Sequence, residues 1–328
     1  MSNIKAKLKF RRIGAGFCGT VWAAEDNGSA YKREDGGPDR SSQNDYNMHQ
    51  LIQRCLAQAT VQIPICYSLL IPADGWWDEN LALFPPKYQP CNTIHAQRIP
   101  PIPAETRQFI IERYCPSQLI EDIMASDANR DCLIRPYLGR RRVQPTATRR
   151  PSEFKEFKVF SLRNYPLHVD QMEEIGILQD DIISYAKTMA EALAMMHWVA
   201  GVDGNDVEFV LAAPNMDKSL NHAAKDDKVY SNVLGQHQMW MLDFDLVRTM
   251  ALDEDGVQQA VKAFLKNDPF FPRPNNRINS DSALWGAFRD QYLETSIKCI
   301  SPANRGMLAL PALFIHLVEE TDHKSADH

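Results

Sequence analysis

Three glycines, one lysine and a set of acids are spaced in this sequence as phosphate chemistry would need them. Gly14-Ala-Gly16-Phe-Cys-Gly19-Thr-Val21 fits G-x-G-x-x-G-x-V. Without Cβ atoms, Gly14, Gly16 and Gly19 let backbone N–H groups come close to phosphate oxygens. A dinucleotide fingerprint needs a helix after its glycines, whereas Thr20-Val-Trp-Ala-Ala24 reads as a strand. The expectation is therefore a strand–glycine loop–strand hairpin. Lys32, in Ala30-Tyr-Lys32, supplies an ammonium for the same phosphates. Leu242-Asp243-Phe244-Asp245 offers a carboxylate of the kind a hard cation such as Mg²⁺ takes. An acidic loop, Val202-Asp-Gly-Asn-Asp-Val-Glu-Phe-Val-Leu211, carries Asp203, Asp206 and Glu208.

The elements that must position these groups are partly readable. Residues 6–34 read as strands, with a hairpin at Asn27-Gly28. From Asn44, the positions Met48, Leu51, Ile52, Cys55 and Leu56 follow helical spacing, with Asn44 or Asp45 as cap. Residues 61–103 look like strand pieces broken by prolines, with Trp76-Trp77 as loop aromatics folded onto the core. Phe109-Ile-Ile111 reads as a short strand ahead of Glu112. The clearest helix spans about 181–198, where Ile182, Ala186, Met189, Ala190, Leu193 and His197 share a face. His197 is expected to be a satisfied core histidine. Residues 212–238 form a polar excursion, Met239–Val247 a strand, and 257–266, 284–299 and 308–320 helices. Strands before residue 115 and helices after 150 predict an α+β fold of bilobal form. Its expected parts are an antiparallel-sheet lobe over 1–115 and a mainly helical lobe over 116–328, the latter with 212–238 inserted.

In that order, glycine loop, lysine, helix, acidic loop and Asp-Phe resemble the protein-kinase-like superfamily. The likeness is nearer to small-molecule kinases of the aminoglycoside/choline type than to kinases acting on proteins. More narrowly, the chain resembles a fungal family of uncharacterised kinase-like proteins, a domain of unknown function loosely called a zinc-finger protein. Arg98-Ile-Pro-Pro101, Ser161-Leu-Arg-Asn-Tyr-Pro-Leu167, Met189-Ala-Glu-Ala-Leu-Ala194, Trp240-Met-Leu-Asp-Phe244 and Asn267-Asp-Pro-Phe-Phe-Pro-Arg-Pro274 are among the stretches that carry it. The resemblance implies ATP and Mg²⁺ as cofactors. Gly14, Gly16, Gly19, Lys32, Asp45 and Glu112 would be cofactor-binding, and Asp243 and Glu208 metal-binding. Asp203 is the catalytic acid if the acidic loop aligns without gaps. With a two-residue deletion it is Asp206, and Phe209 then replaces the metal-binding Asn. The sequence departs from the pattern in four places: the catalytic-loop His and Arg are missing, Asp45 stands where a Glu would pair Lys32, no Ala-Pro-Glu element follows Asp243, and Asp245 replaces a glycine.

Three functions fit these residues. One is a divergent ATP-dependent phosphotransferase acting on a small molecule. Another is a natural-product enzyme, a cyclase or isomerase of pericyclase type, reusing the cleft without a cofactor. There Asp203, Glu208 or His197 would act as acid or base. The third is an inactive pseudokinase-like binding module that still binds nucleotide or engages a partner through Trp76, Trp77 and the arginine-bearing segment 140–151.

Composition narrows the setting. The 328 residues carry 36 Lys+Arg against 42 Asp+Glu, a net charge of −6, which speaks against a dedicated nucleic-acid binder. Hydrophobic residues at 44% argue against a mainly disordered chain. Apolar runs fall short of the roughly 20 residues that span a bilayer, and the basic start lacks the apolar core of a secretory signal. Seven scattered cysteines, without a CxxC pair or Cys/His spacing, suggest a reduced cytoplasmic protein without a zinc site. A small-molecule substrate is expected, and the oligomeric state is left open.

Overall fold

The glycine segment forms a hairpin, as its flanking apolar residues require. In the computed structural model, which describes residues 9–25, 28–37, 41–142, 160–215, 228–274, 278–300 and 306–326, β1 (Arg11–Ala15) pairs antiparallel with β2 (Thr20–Ala23). The strand β3 (Ser29–Arg33) follows, then α1 (Ser42–Cys55), β4 (Cys66–Leu70), a short α2 (Trp76–Asn80) and β5 (Thr93–Gln97). These strands make one antiparallel sheet in the order β1-β2-β3-β5-β4. One face is covered by an aromatic cluster of Phe10, Trp22, Tyr31, Trp77 and Phe84, with Trp76 packed against it. The guanidinium of Arg33 lies 4.7 Å from the Phe84 ring and 5.0 Å from that of Tyr88, so aromatic faces stabilise its buried charge. Ser41, rather than Asn44 or Asp45, caps α1 by accepting from Asn44 N. The Asn44 side chain instead donates to the carbonyls of Asp245 and Val247.

Phe109–Ile111 belongs to a helix, α3 (Ala104–Tyr114), and not to a strand. A three-residue apolar run is ambiguous between the two. The strong helix formers around it and the shared burial of Thr106, Ile110 and Ile111 decide for the helix. The chain continues through α4 (Ile120–Ala125), β6 (Ile134–Tyr137), β7 (Tyr165–His168), α5 (Val169–Glu174), α6 (Gln179–Met195), β8 (Glu208–Ala212), β9 (Tyr230–Asn232), β10 (Gly235–Leu242), α7 (Glu254–Lys266), α8 (Asn279–Cys299) and α9 (Leu310–Ala326).

The fold is therefore α+β, but the part after residue 116 is less helical than expected. It holds a second five-stranded sheet, order β7-β6-β8-β10-β9, with β6–β7 parallel and the other pairs antiparallel. Its strands β6, β7, β8 and β9 are only three to five residues long, which hides them from periodicity, and only the longer β10 falls where a strand was expected. The 212–238 excursion contributes β9 and the start of β10; residues 216–227 lie outside the described residues. Buried Ile182, Ala186, Met189 and Leu193 make α6 the spine of the main core, with α8 packed along it. Ile52 and Leu56 enter the same core from the end of α1, joining the first sheet's helix to the second half. A single π-helical turn, Met196–Ala200, ends α6 and delivers the chain to the acidic loop.

Candidate functional site

A cavity of about 560 Å³ is lined from both sheets. The tip of the β1–β2 hairpin forms one wall. Gly19 has φ +151°, and a Cβ there would stand 1.9 Å from the Arg33 carbonyl oxygen, so only glycine fits. The tip is also tied down: Thr20 N donates to Asp35 Oδ1 at 2.8 Å and Gly37 N to the Phe17 carbonyl at 2.7 Å.

β3 alternates as a strand must, sending Tyr31 to the aromatic cluster and Lys32 to the cavity. Lys32 Nζ donates to Asp45 Oδ2 at 2.5 Å and Asp243 Oδ1 at 2.6 Å. Burial alone would lower the lysine's pKa, but the two carboxylates outweigh it and hold the ammonium charged well above its usual range. Asp45, buried in the first turn of α1, also accepts from Phe244 N at 3.3 Å. It thereby fixes the residue next to Asp243.

On the opposite side, Glu208 opens β8 facing Arg135 of β6. Arg135 Nη2 donates to both Glu208 oxygens, at 2.5 and 2.6 Å. Arg135 also lies 3.6 Å from Asp268, which accepts from the Tyr137 hydroxyl at 2.9 Å. Burial pushes the Glu208 carboxyl up to about 7; Arg135 opposes the shift and the charge of Asp243 adds to it. At the junction of the halves, Asp131 accepts from Arg98 at 2.6 Å and from Arg11 at 3.2 Å.

Backbone strain gathers around this space. Among the described residues the non-glycines with positive φ are Lys87, Asn164 (+49°), Asp206 (+62°) and Asp243 (+67°). The last three all line the cavity. Each such conformation costs on the order of 1–3 kcal/mol, and strain of this kind clusters at functional sites. Asn and Asp are the residue types that tolerate it best.

The structure thus brings Gly14, Gly16, Gly19, Lys32, Asp45, Asp206, Glu208 and Asp243 to one cavity. It does not bring Asp203 or Glu112 there. Asp203 is buried and saturated: Oδ1 accepts from Asn205 N at 3.1 Å and Arg248 N at 3.0 Å, and Oδ2 from Gln259 Nε2 at 2.8 Å. The ungapped alignment that makes Asp203 catalytic therefore places its acid in the loop's own scaffolding. Glu112 lies exposed on α3, bonded to Gln108. Arg98, Asp131, Arg135, Asn164 and Asp268 line the cavity without having been singled out from the sequence. Arg98, Asn164 and Asp268 lie in stretches that carry the resemblance, without a role read for them, and Arg135 stands out as a charge inside the apolar run Leu133-Ile-Arg-Pro-Tyr137.

His197 is buried, with Nδ1 2.8 Å from the Tyr292 hydroxyl, and burial lowers its pKa to about 3. Arg141 is spent on Glu173 and Asp281, and Arg142 on Asp170 and Glu174. Arg149 and Arg150 lie outside the described residues.

A family model, DUF3669, described as "Zinc finger protein", matches residues 239–304, about a fifth of the chain. No curated protein matches the chain. This finding corrects the kinase-like resemblance drawn from motif order: the matching family carries another description, and no kinase-like family or relative supports that likeness. The matched stretch contains one cysteine, Cys299, and no histidine. Among the described residues, no three His, Cys, Asp or Glu side chains are gathered to hold a metal ion. What the stretch does contain is Asp243 and the helix α7.

Proposed function

We propose that the cavity binds a nucleotide and that the chain is a divergent ATP-dependent phosphotransferase acting on a small molecule. In this reading the two halves, 1–115 and 116–328, are lobes that meet at the cavity. The observation that carries it is the Lys32 ammonium, fixed between Asp45 and Asp243 in the cavity walled by the glycine hairpin. Ile13, Val21, Ala30, Ile94, Leu133 and Leu242 give the same space apolar walls, which suit a flat base and exclude water. Lys32 would hold phosphate charge, and Asp206 would orient the accepting hydroxyl. Such catalysis is mostly positioning and electrostatics.

The acids do not form a resident Mg²⁺ site as they stand. Asp243 Oδ1 is engaged by Lys32, and both Glu208 oxygens by Arg135. Six carboxylates line the cavity against three Lys and Arg side chains, so a polyphosphate must bring its own cation as part of the substrate. Calorimetric titration with Mg-ATP tests the reading. The parent protein should bind, and Lys32→Ala and Asp243→Ala should weaken binding at least tenfold. A parent protein that does not bind Mg-ATP refutes it.

Glu208 favours a second reading, a natural-product cyclase or isomerase that works without ATP. A carboxyl that titrates near 7 beside an arginine can both give and take a proton at neutral pH. Small-molecule binding that survives Lys32→Ala, is lost in Glu208→Gln and is not displaced by Mg-ATP would select it.

A further inference from the structure

We infer that Asn267 is a positioning residue that sets Asp206 in the cavity, and that α7 clamps the acidic loop at two points. The inference rests on the reading above only in taking Asp206 as a group that meets the substrate.

Gly204 and Asp206 both have left-handed backbone, φ +63° and +62°. Such a loop has no ladder to satisfy its peptide groups, and a non-glycine at Asp206 disfavours the conformation. Asn267 compensates with both ends of its amide. Its Oδ1 accepts from Asp206 N at 2.6 Å, and its Nδ2 donates to the Gly204 carbonyl at 3.0 Å. Only a side chain with donor and acceptor on one planar head can make this pair of contacts.

Asn267 is itself immobilised. It is buried, it caps the C-terminus of α7 through its own N–H to the Ala263 carbonyl, and its carbonyl accepts from Arg273 at 3.5 Å. One face of the same helix makes the second hold: Gln259 Nε2 donates to Asp203 Oδ2 at 2.8 Å and to the Thr249 carbonyl at 3.1 Å. The loop is thus gripped at Asp203 and at Asp206 by one rigid element. That element lies wholly inside the matched stretch 239–304, which also carries Asp243. The structure gives this stretch the task of placing two strained aspartates at one cavity.

Amide hydrogen exchange at Asp206 tests the inference directly. In Asn267→Ala the Asp206 N–H loses its acceptor, and its exchange should speed up by about 10- to 100-fold, the range a lost buried hydrogen bond implies. Asn267→Asp keeps the acceptor for Asp206 N but sets a carboxylate oxygen against the Gly204 carbonyl, so the Gly204 end loosens while exchange at Asp206 stays within about tenfold of the parent. Unchanged exchange in Asn267→Ala overturns the proposal. Should that variant fail to fold, Asn267→Asp decides alone: retained protection supports the proposal, and lost protection overturns it.

A functional readout separates positioning from bulk stability. Mg-ATP binding should be nearly retained in both variants, because the phosphates meet Lys32, while release of phosphate from Mg-ATP to water should fall at least tenfold in Asn267→Ala and recover in Asn267→Asp. Equal loss in both variants counts against positioning through Asp206. If the parent protein binds no Mg-ATP, the nucleotide reading fails, and the exchange measurement still decides the role of Asn267.

Discussion

Glu208 sets a carboxyl in a place where burial disfavours its charged form. Its pKa is raised from 4.5 to about 7, first by burial, with Asp243 and Asp268 adding to the rise and Arg135 and Lys32 opposing it. A carboxyl whose pKa is higher in the folded than in the unfolded chain contributes its stability in full below about 4.5. That contribution is lost as pH rises through about 7. The melting temperature should therefore fall between pH 5 and 8, and Glu208→Gln should flatten that slope; an unchanged slope in the variant would show that other groups set it. Lys32 has the converse dependence on its partners. Lys32→Met removes the cation shared by Asp45 and Asp243 and leaves Asp45, 3% exposed, as a buried carboxylate without it. We expect a loss of about 3 kcal/mol in urea unfolding, the lower end for breaking a buried pair, because Asp243 stays partly wetted. A double variant, Lys32→Met with Asp45→Leu, should recover part of it. The residue types at this end were legible in the sequence, since glycines, lysine and Asp-Phe declare their chemistry. Which acid faces the cavity was not legible. Asp203 is turned into the loop, against Asn205 N, Arg248 N and Gln259, while Asp206 lines the cavity, and spacing carries no such information.

The elements that matter most for the site are the ones whose ends meet it. α6 was readable from its apolar period because one face is buried along its length. α3 was misread because its apolar run is only three residues long. The second sheet was missed as a sheet because β6, β7 and β9 are each four residues or fewer, and pairing is a long-range property. The junction between α6 and β8 is equally hidden. The π-turn Met196–Ala200 and the left-handed Gly204 together redirect the chain by local geometry that no periodicity records. Gly204→Ala tests how tightly that junction is specified. It places a Cβ 3.3 Å from Leu193 Cδ1 and from Met196 Cε, at φ +63°. The left-handed conformation alone costs a non-glycine about 1–2 kcal/mol. Destabilisation in that range, measured by urea titration, is expected. A neutral result would mean that the loop can turn elsewhere.

At the scale of the whole molecule, the two sheets are held together by α1, whose Ile52 and Leu56 share the main core, by the Lys32–Asp243 contact and by a charged knot at Asp131. Asp131, with a side chain 7% exposed, receives Arg98 from the end of β5 and Arg11 from β1. Asp131→Ala would leave two guanidiniums at the junction without their acceptor. It should cost about 2–3 kcal/mol, less than a fully buried pair because Arg11 and Arg98 keep some water. Hydrogen exchange should locate the loosening in β1 and β2 ahead of α6; uniform loosening would mean that the knot merely adds stability. The contact between Lys32 and Asp243 has a different consequence. These residues are 211 positions apart, so nothing closer in the chain can substitute for their meeting. During synthesis from the N-terminus, the first sheet and its hairpin emerge long before Asp243 does. A translating ribosome must therefore carry a first sheet whose lysine has only Asp45 beside it, and the cavity comes into being only once the chain has reached Asp243 and Asp268.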